Sequence, residues 1–473
     1  MNLQAQSRLD ATGYDRAQCK IGIVHIGLGA FHRAHQAVYV DRYLDLTGDL
    51  NWGIAAVNLR ANDSAAFAES SKATDGYLLK TTSPEAETRY QLIRAHVAHE
   101  DWAVDRDAAE ALVDIPSVQI ISMTVTESGY FLNNDWTLNT ADPVLAAEIS
   151  GADPTSIYGY LARALSRRAA GNGQPVTIMC CDNIRSNGVI LERNFKQYLE
   201  VTGRDALLEW VCDNVSFPCS MVDRITPRST PALLAEVAEK FPGRDLAPIH
   251  GESFIQWVVA DKFAGEKPDL DKVGVQIVDD VEPYEEAKIR ILNGGHSGMC
   301  YFGALAGYQT FDEIMHDPDL RRHFERFEYE NVLPAISTDL PFDARAYVDQ
   351  IAARLGNRAI ADDLARICMD GWSKMQIFIV PTLDGCLRNG ISPVHSYECV
   401  ASWYVYARRV AADAMAIPYQ EPFWDDLLPL LSAGQEQAFA ECAALWADLP
   451  NQYEEFAPGI VAAIDRVEAR WPA

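Results

Sequence analysis

Residues 21–29, Ile21-Gly22-Ile23-Val24-His25-Ile26-Gly27-Leu28-Gly29, decide the fold. Four β-branched residues in six make 21–26 a short buried strand, and the glycines end it. After Gly29 the text AFHRAHQAVYVDRYLDL turns helical. Strand, glycine turn and helix in that order suit a dinucleotide. Gly27 and Gly29 let the backbone approach a pyrophosphate, and the helix start offers free N–H groups to it. The third glycine of G-x-G-x-x-G is missing, because His32 stands there. A plain tight turn therefore remains the competing reading of these residues alone.

Outward from this stretch, further strands are expected at 52–59, 91–97, 118–124 and 175–180, with helices at 107–112 and 157–169 between them. Alternating strands and helices predict an α/β domain with a doubly wound, mostly parallel sheet. Beyond about residue 280 the periodicity becomes helical, as at 361–369, 398–415 and 436–447. The division expected is a Rossmann-type domain over 1–280 and a mostly α-helical domain over 281–473.

Length and composition agree with two domains and narrow the function. The chain has 473 residues, 48% hydrophobic and 23% charged, which suits a folded globular protein rather than a disordered one. Its 67 acidic and 40 basic residues give a net charge of −27, which argues against nucleic acid or an anionic membrane surface as partner. No run reaches the ~18–20 apolar residues of a membrane span. Ten scattered cysteines without a C-x-x-C pair are expected to be reduced thiols in the cytoplasm.

The cofactor side continues at the end of the second strand, VNLRAND. Asp63 there would accept hydrogen bonds from an adenosine ribose and favour NAD, whereas Arg60 would pair with a 2′-phosphate and favour NADP. His32 and His35, three apart, invite a metal reading. They lack the accompanying Cys or carboxylate ligands that zinc needs, so no metal is expected there.

The segment PYEEAKIRILNGGHSG, 283–298, carries the chemistry. On a straight α-helix Glu285, Lys288, Asn293 and His296 fall within an arc of about 140°, which Ile289 and Leu292 share. A lysine on a half-buried face can act as a base once burial and a cationic nicotinamide lower its pKa. An amide beside it can stabilise a developing alkoxide, and an imidazole can orient a hydroxyl. Asn183, in CDNIRSNG, follows an apolar strand and stands where doubly wound sheets place ligands. Asp223 and Arg224 lie in FPCSMVDRITP, an apolar setting in which adjacent opposite charges are usually structural. Arg366, Asp370 and Lys374, spaced i, i+4, i+8, are expected to share a helix face.

The motifs GLGAFHRAHQA, TVTESGY, CDNIRSNG, SFPCSMVDRITP, ESFIQWVV, PYEEAKIRILNGGHS and DGWSK run in order over nearly the whole chain. In them the sequence resembles the polyol-specific long-chain dehydrogenases, the mannitol dehydrogenase family. The resemblance implies metal-independent hydride transfer between NAD and a secondary alcohol of a polyol. It implies Lys288 as general base, Asn183 and Asn293 as oxyanion-stabilising amides, and His296 as the substrate-orienting histidine. Glu285 would help the lysine exchange its proton with water. Asp223, Arg366 and Lys374 would line the substrate site, and Phe31 and Glu127 fall in cofactor-side motifs. Asp63 matches the position that selects NAD, with Asn62 where some relatives carry a second acid. A monomer is expected, since both domains belong to one chain.

Within the family, GYFLNNDWTLNTADP, TSIYGYL, ESFIQWVV and VEPYEEAKIRILNGGHS are similar to the branch that oxidises D-arabinitol. That implies D-arabinitol to D-xylulose, with D-mannitol to D-fructose as a second activity. Trp372 and Gln376 replace a smaller residue and a proline of many relatives, and are expected to reshape the substrate end near Lys374. Three alternatives stay open: a mannitol 2-dehydrogenase, a hexuronate reductase or sugar-phosphate dehydrogenase of the same family, and a non-catalytic NAD-binding sensor.

Overall fold

The structure is a computed structural model and describes residues 8–73, 75–133 and 135–472. The chain divides into two compact units, one of residues 1–82 and 88–282 and the other of residues 83–87 and 283–473.

The first unit is built on a six-stranded parallel sheet. Its strands, numbered in chain order, are β1 (Ile21–Ile26), β2 (Gly53–Asn58), β3 (His96–Asp101), β4 (Ile120–Met123), β5 (Val176–Cys180) and β6 (Val215–Ser216). They lie in the order β3-β2-β1-β4-β5-β6, with every neighbouring pair parallel. The order reverses between β1 and β4, the switch point outside which such sheets bind dinucleotides. Both faces are covered, as a parallel sheet requires. Val24, Ile26, Val57, Ile121 and Ile178 pack with Leu161, Leu165 and Phe195 of helices Ile157–Ala170 and Asn187–Val201. On the other face Ile23, Ile54, Ile120 and Met179 pack with Ala37, Val38 and Leu44 of helix Gln36–Thr47. The Rossmann-type reading of the opening stretch is thus borne out.

Two smaller sheets complete the unit. Ser220–Asp223 pairs antiparallel with Gln256–Ala260, which pairs parallel with Gln276–Val278. The other sheet has the order Leu9–Ala11, Thr88–Ile93, Tyr77–Thr82, Ile249–Glu252. The strand expected over 91–97 straddles two sheets, because the chain leaves Thr88–Ile93 and enters β3 at His96. Between them the Arg94 guanidinium donates to Thr12 O at 2.7 Å, and Ala95 O accepts from Ile54 N at 2.9 Å. An apolar run does not reveal a change of partner within it.

The second unit is helical. Helix Gly294–Leu305 packs on Val394–Ala411, which also packs on Phe456–Arg470. Two expected helices are broken. Only Leu364–Ile367 is helical within 361–369, where the Asp363 carboxylate caps a new start by accepting from Ala365 N. The stretch 436–447 splits into Glu436–Ala440 and Ala443–Trp446. Among the described residues no helix is long and apolar enough to cross a membrane.

Candidate active site

The glycine turn opens a cleft of about 380 Å³ at the C-terminal ends of β1, β2 and β4. Gly27 has φ +97°, and a Cβ there would stand 2.2 Å from Thr124 O, so no other residue fits this turn without moving the backbone. Gly29 meets nothing within 4 Å; its missing side chain leaves open space in the cleft. The lining is apolar at Ile26, Leu28, Leu59, Ala66 and Phe67, with Arg60 and Asp63 also contributing. A purine and its ribose fit that mixture, and an anionic pyrophosphate fits the glycine cradle. Asp63 Oδ2 accepts from Arg60 Nε at 2.6 Å, and both side chains are substantially exposed. Of the six residues expected on the cofactor side, Gly27, Gly29, Arg60 and Asp63 line this cleft. Phe31 stacks on His35 and Glu127 is exposed beside the Thr126 rim; neither lines the cleft.

Asp182, not among the residues expected from the sequence, holds the wall of the cleft formed by Val125 and Thr126. Its carboxylate accepts from Val125 N at 2.9 Å, Thr126 N at 3.0 Å and the Tyr130 hydroxyl at 2.6 Å. Burial pushes its pKa up to about 6, against the pull of those three donors. Its signal in the sequence is a carboxylate directly after an apolar strand, next to the amide of Asn183.

In the second unit the lysine segment is not a straight α-helix. Glu282–Ala287 is α-helical, Lys288–Asn293 is a π-helix, and Gly294–Leu305 is α-helical again. Gly294 N donates to Ile289 O, five residues back. The widened turn takes up an extra residue, about 100° of helical phase. The 140° arc drawn on a regular helix therefore does not describe this segment, because Asn293 and His296 are re-aimed relative to Glu285 and Lys288. Burial is as expected, with Glu285, Lys288, Ile289 and Leu292 all buried.

Two polar atoms on this segment, Asn293 Oδ1 and His296 Nε2, are buried and have no hydrogen-bond partner. A buried polar atom without a partner costs about 1–3 kcal/mol, so such a pair marks a place where a ligand's hydroxyls would be satisfied. His296 lies edge-on to Phe311 at 4.4 Å, and its Nε2 is 3.8 Å from Asp362 Oδ2. Burial lowers its pKa to about 4; Asp362 opposes the shift while Arg366 and Lys374 add to it. Arg366 clamps Asp362, with 2.6 Å from Nη2 to Oδ1. Lys374 Nζ donates to Ile367 O at 2.6 Å, and desolvation lowers its pKa. The structure thus brings His296 and Arg366 to Asp362, a residue not singled out from the sequence, with Lys374 close enough to act on His296. The signal for Asp362 was the i, i+4 spacing to Arg366.

Arg366, Asp370 and Lys374 do not share one helix face. Helix Leu364–Ile367 ends before Asp370, which has φ +56°, and a new helix runs Gly371–Lys374. Trp372 is buried and stacked on Phe423, and Gln376 is exposed and donates to Ala444 O at 2.6 Å. These ring and polar contacts involve none of the expected substrate residues. Asn183 is exposed three residues beyond β5, and Asp223 ends a buried strand; both belong to the first unit. Arg224 is structural, its Nε and Nη2 donating to Glu252 O at 2.9 and 2.7 Å. His32 Nε2 lies 2.9 Å from His96 Nε2, and His35 Nε2 lies 2.7 Å from Gln256 O, so both are occupied as core polar groups.

Comparison with known proteins fits this geometry. The Mannitol dehydrogenase Rossmann domain matches residues 21–272 and the Mannitol dehydrogenase C-terminal domain matches residues 280–468. A D-arabinitol 4-dehydrogenase of Klebsiella pneumoniae is 38% identical over 432 residues, covering 90% of this chain and 94% of the relative. A polyol:NADP oxidoreductase of Gluconobacter oxydans is 36% identical, covering 80% of this chain and 78% of the relative. The structure of Pseudomonas fluorescens mannitol 2-dehydrogenase, a ternary complex with NAD and D-mannitol, superposes with a TM-score of 0.85 at 31% identity, over 98% of this chain and 94% of that one. With both of its parts matched end to end in this way, the chain belongs to the mannitol dehydrogenase family and is a polyol dehydrogenase.

Proposed function

We propose that the chain oxidises D-arabinitol at a secondary hydroxyl to D-xylulose, with NAD as hydride acceptor and with D-mannitol to D-fructose as a second activity. The observation that carries the reading is a pair of buried atoms without hydrogen bonds on the segment that carries Lys288: Asn293 Oδ1, which would accept from a substrate hydroxyl, and His296 Nε2. The D-arabinitol assignment rests on similarity to the Klebsiella pneumoniae enzyme.

On this reading Lys288 Nζ, as the neutral amine, accepts the proton of the substrate hydroxyl. The nicotinamide supplies the hydride acceptor for the hydrogen on the same carbon, so the alcohol becomes a ketone. Asn183 and Asn293 donate amide N–H groups to the oxygen as its charge develops. His296 is neutral near pH 7 and holds the hydroxyl in line with the lysine. Glu285 passes the lysine's proton to water. Asp223, Arg366 and Lys374 bind the remaining hydroxyls. Proton and charge are both handled by side chains, so the step needs no metal. Asp63 favours NAD over NADP, because its carboxylate occupies the Arg60 guanidinium and would repel a 2′-phosphate. A single chain supplies every group named.

The test is a panel of D-arabinitol, D-mannitol, D-sorbitol and hexuronates, each with NAD and NADP, followed by reduced-nicotinamide absorbance. The highest kcat/KM is expected for D-arabinitol with NAD. A preference for D-mannitol would move the main activity to mannitol 2-oxidation, and turnover confined to hexuronates would overturn the reading.

A further inference from the structure

Helix Pro318–Arg326 carries His323, and helix Val394–Ala411 carries His395 and Glu398 three residues apart. The three side chains converge. His323 Nδ1 lies 3.4 Å from Glu398 Oε2, and His395 Nδ1 lies 3.8 Å from it. One ligand-type atom of each falls within 4.8 Å of the other two, the sole such group of His, Cys, Asp and Glu found among the described residues. None of the three belongs to the dinucleotide cleft or to the Lys288 set.

Of the three atoms facing away from this centre, those of His395 and Glu398 are held as they are around metals, while His323 Nε2 is buried without a hydrogen bond. His395 Nε2 lies 3.2 Å from Glu330 Oε2. Glu398 and Glu330 together raise the pKa of His395; a cation that displaces the Nδ1 proton would leave the remaining ring proton on Nε2 toward Glu330, the outer-carboxylate arrangement that orients metal-binding histidines. His395 Nδ1 itself is buried and makes no hydrogen bond. Glu398 Oε1 accepts from Arg466 Nε at 3.0 Å, which leaves Oε2 directed at the two imidazoles. His323 is buried and fixed edge-on to Phe302 at 4.6 Å.

We propose that His323, His395 and Glu398 form a structural site for a divalent transition cation of the zinc type, ligated by His323 Nδ1, His395 Nδ1 and Glu398 Oε2 with water in the fourth position. Two imidazoles and one carboxylate suit Zn²⁺ or Co²⁺; Mg²⁺ and Ca²⁺ prefer more oxygens, and Cu⁺ prefers sulfur. Ligands about 2.0–2.1 Å from a tetrahedral ion are about 3.3 Å apart. The 3.4 Å pair meets that spacing, and the 3.8 Å pair closes to it by a small turn of the His395 ring. Glu398 and Glu330 bring two negative charges, while Arg466 at Glu398, with Arg326 and Arg470 facing His323, brings positive ones. The arginines place the affinity below that of a thiolate site. Because Arg466 lies on helix Phe456–Arg470, an ion here would tie three helices of the second unit together.

The experiment uses the full chain, stripped with a chelator, dialysed and titrated with Co²⁺ and then Zn²⁺. One ion per chain is expected, with visible d–d bands of tetrahedral Co²⁺ and a rise in Tm. The kcat of polyol oxidation should be the same with and without the ion. His395→Gln should abolish the bands and the Tm rise. Glu330→Gln, at a mostly exposed position that leaves the fold intact, should weaken Co²⁺ binding by about 10–100-fold. Absence of stoichiometric binding to the wild-type chain would overturn the site, as would bands unchanged in His395→Gln. A kcat that falls on stripping would overturn its structural role. Should His395→Gln fail to fold, unchanged affinity in Glu330→Gln would decide against the proposal.

Discussion

Lys288 is not among the residues that line the cofactor cleft, so its role can be tested apart from cofactor binding. Lys288→Ala is expected to lower kcat by at least ~10² while leaving NADH affinity unchanged in a fluorescence titration. Near-normal turnover would remove Lys288 from the role of base. His296 adds a condition on the pH profile. With its pKa held near 4 by burial, it stays neutral across the working range, so no imidazole ionisation near 6.5 should appear in kcat/KM. At Asp63, Asp63→Ala both removes the repulsion of a 2′-phosphate and frees Arg60 from its 2.6 Å ion pair. The NAD-to-NADP ratio of kcat/KM should therefore fall, and equal ratios in mutant and wild type would assign the selection elsewhere. The turn at Gly27 and the burial of Lys288 were legible in the sequence. Asp182 and Asp362 were not, because each acts by holding other groups: backbone amides in one case, Arg366 in the other. An isolated carboxylate in a sequence does not announce what it will hold.

At the scale of the element, the strand–turn–helix at Ile21–Gly29 was legible because its period and its glycines are local properties of the chain. The π-helix at Lys288–Asn293 was not. Its residues have the same apolar spacing as an α-helix, and the extra residue in the turn is set by tertiary packing. Asp370 likewise interrupts a face that i, i+4 counting had joined, by adopting φ +56°. The two glycines that follow the π turn separate packing from propensity. A Cβ at Gly295 would lie 2.6 Å from Glu328 Oε1 and 2.8 Å from the Phe324 ring, whereas one at Gly294 would have Phe378 O nearest, at 3.4 Å. Gly295→Ala should cost about 1–3 kcal/mol by overpacking and should also lower kcat, because Asn293 and His296 flank the displaced turn. Gly294→Ala should be neutral or gain up to about 1 kcal/mol from helix propensity. Denaturant midpoints and kcat for both variants check this; equal losses at the two positions would mean that the packing against Glu328 and Phe324 does not constrain the turn.

At the scale of the whole molecule the last expectation concerns acid. The first unit buries a group of histidines whose pKa values are all pushed down by desolvation: His25 to about 3, His99 and His250 to about 4, and His32 and His96 well below the ordinary value. Folded, they stay neutral as pH falls from 7 to about 4; unfolded, each takes up a proton near 6.5. The unfolded state thus binds more protons in this window, and stability must fall as pH falls. Asp41 and Asp182 act the other way. Their pKa values are raised to about 6, so the folded chain takes up protons before the unfolded one does. Glu100, Glu328 and His395 are raised too, while His296 and His323 of the second unit are lowered to about 4 and join the five imidazoles, which leaves the histidines dominant. At pH 5.5 the imbalance is roughly three protons, or about 4 kcal/mol per pH unit at about 1.4 kcal/mol per proton. The denaturant midpoint of the full chain should drop steeply between pH 7 and pH 5. His96→Gln should flatten that slope by up to about 1.4 kcal/mol per pH unit, whatever it does to stability at pH 7. A midpoint that held steady or rose on acidification would show that the buried histidines are protonated in the fold, and that the His32–His96 contact at 2.9 Å is not between two neutral rings.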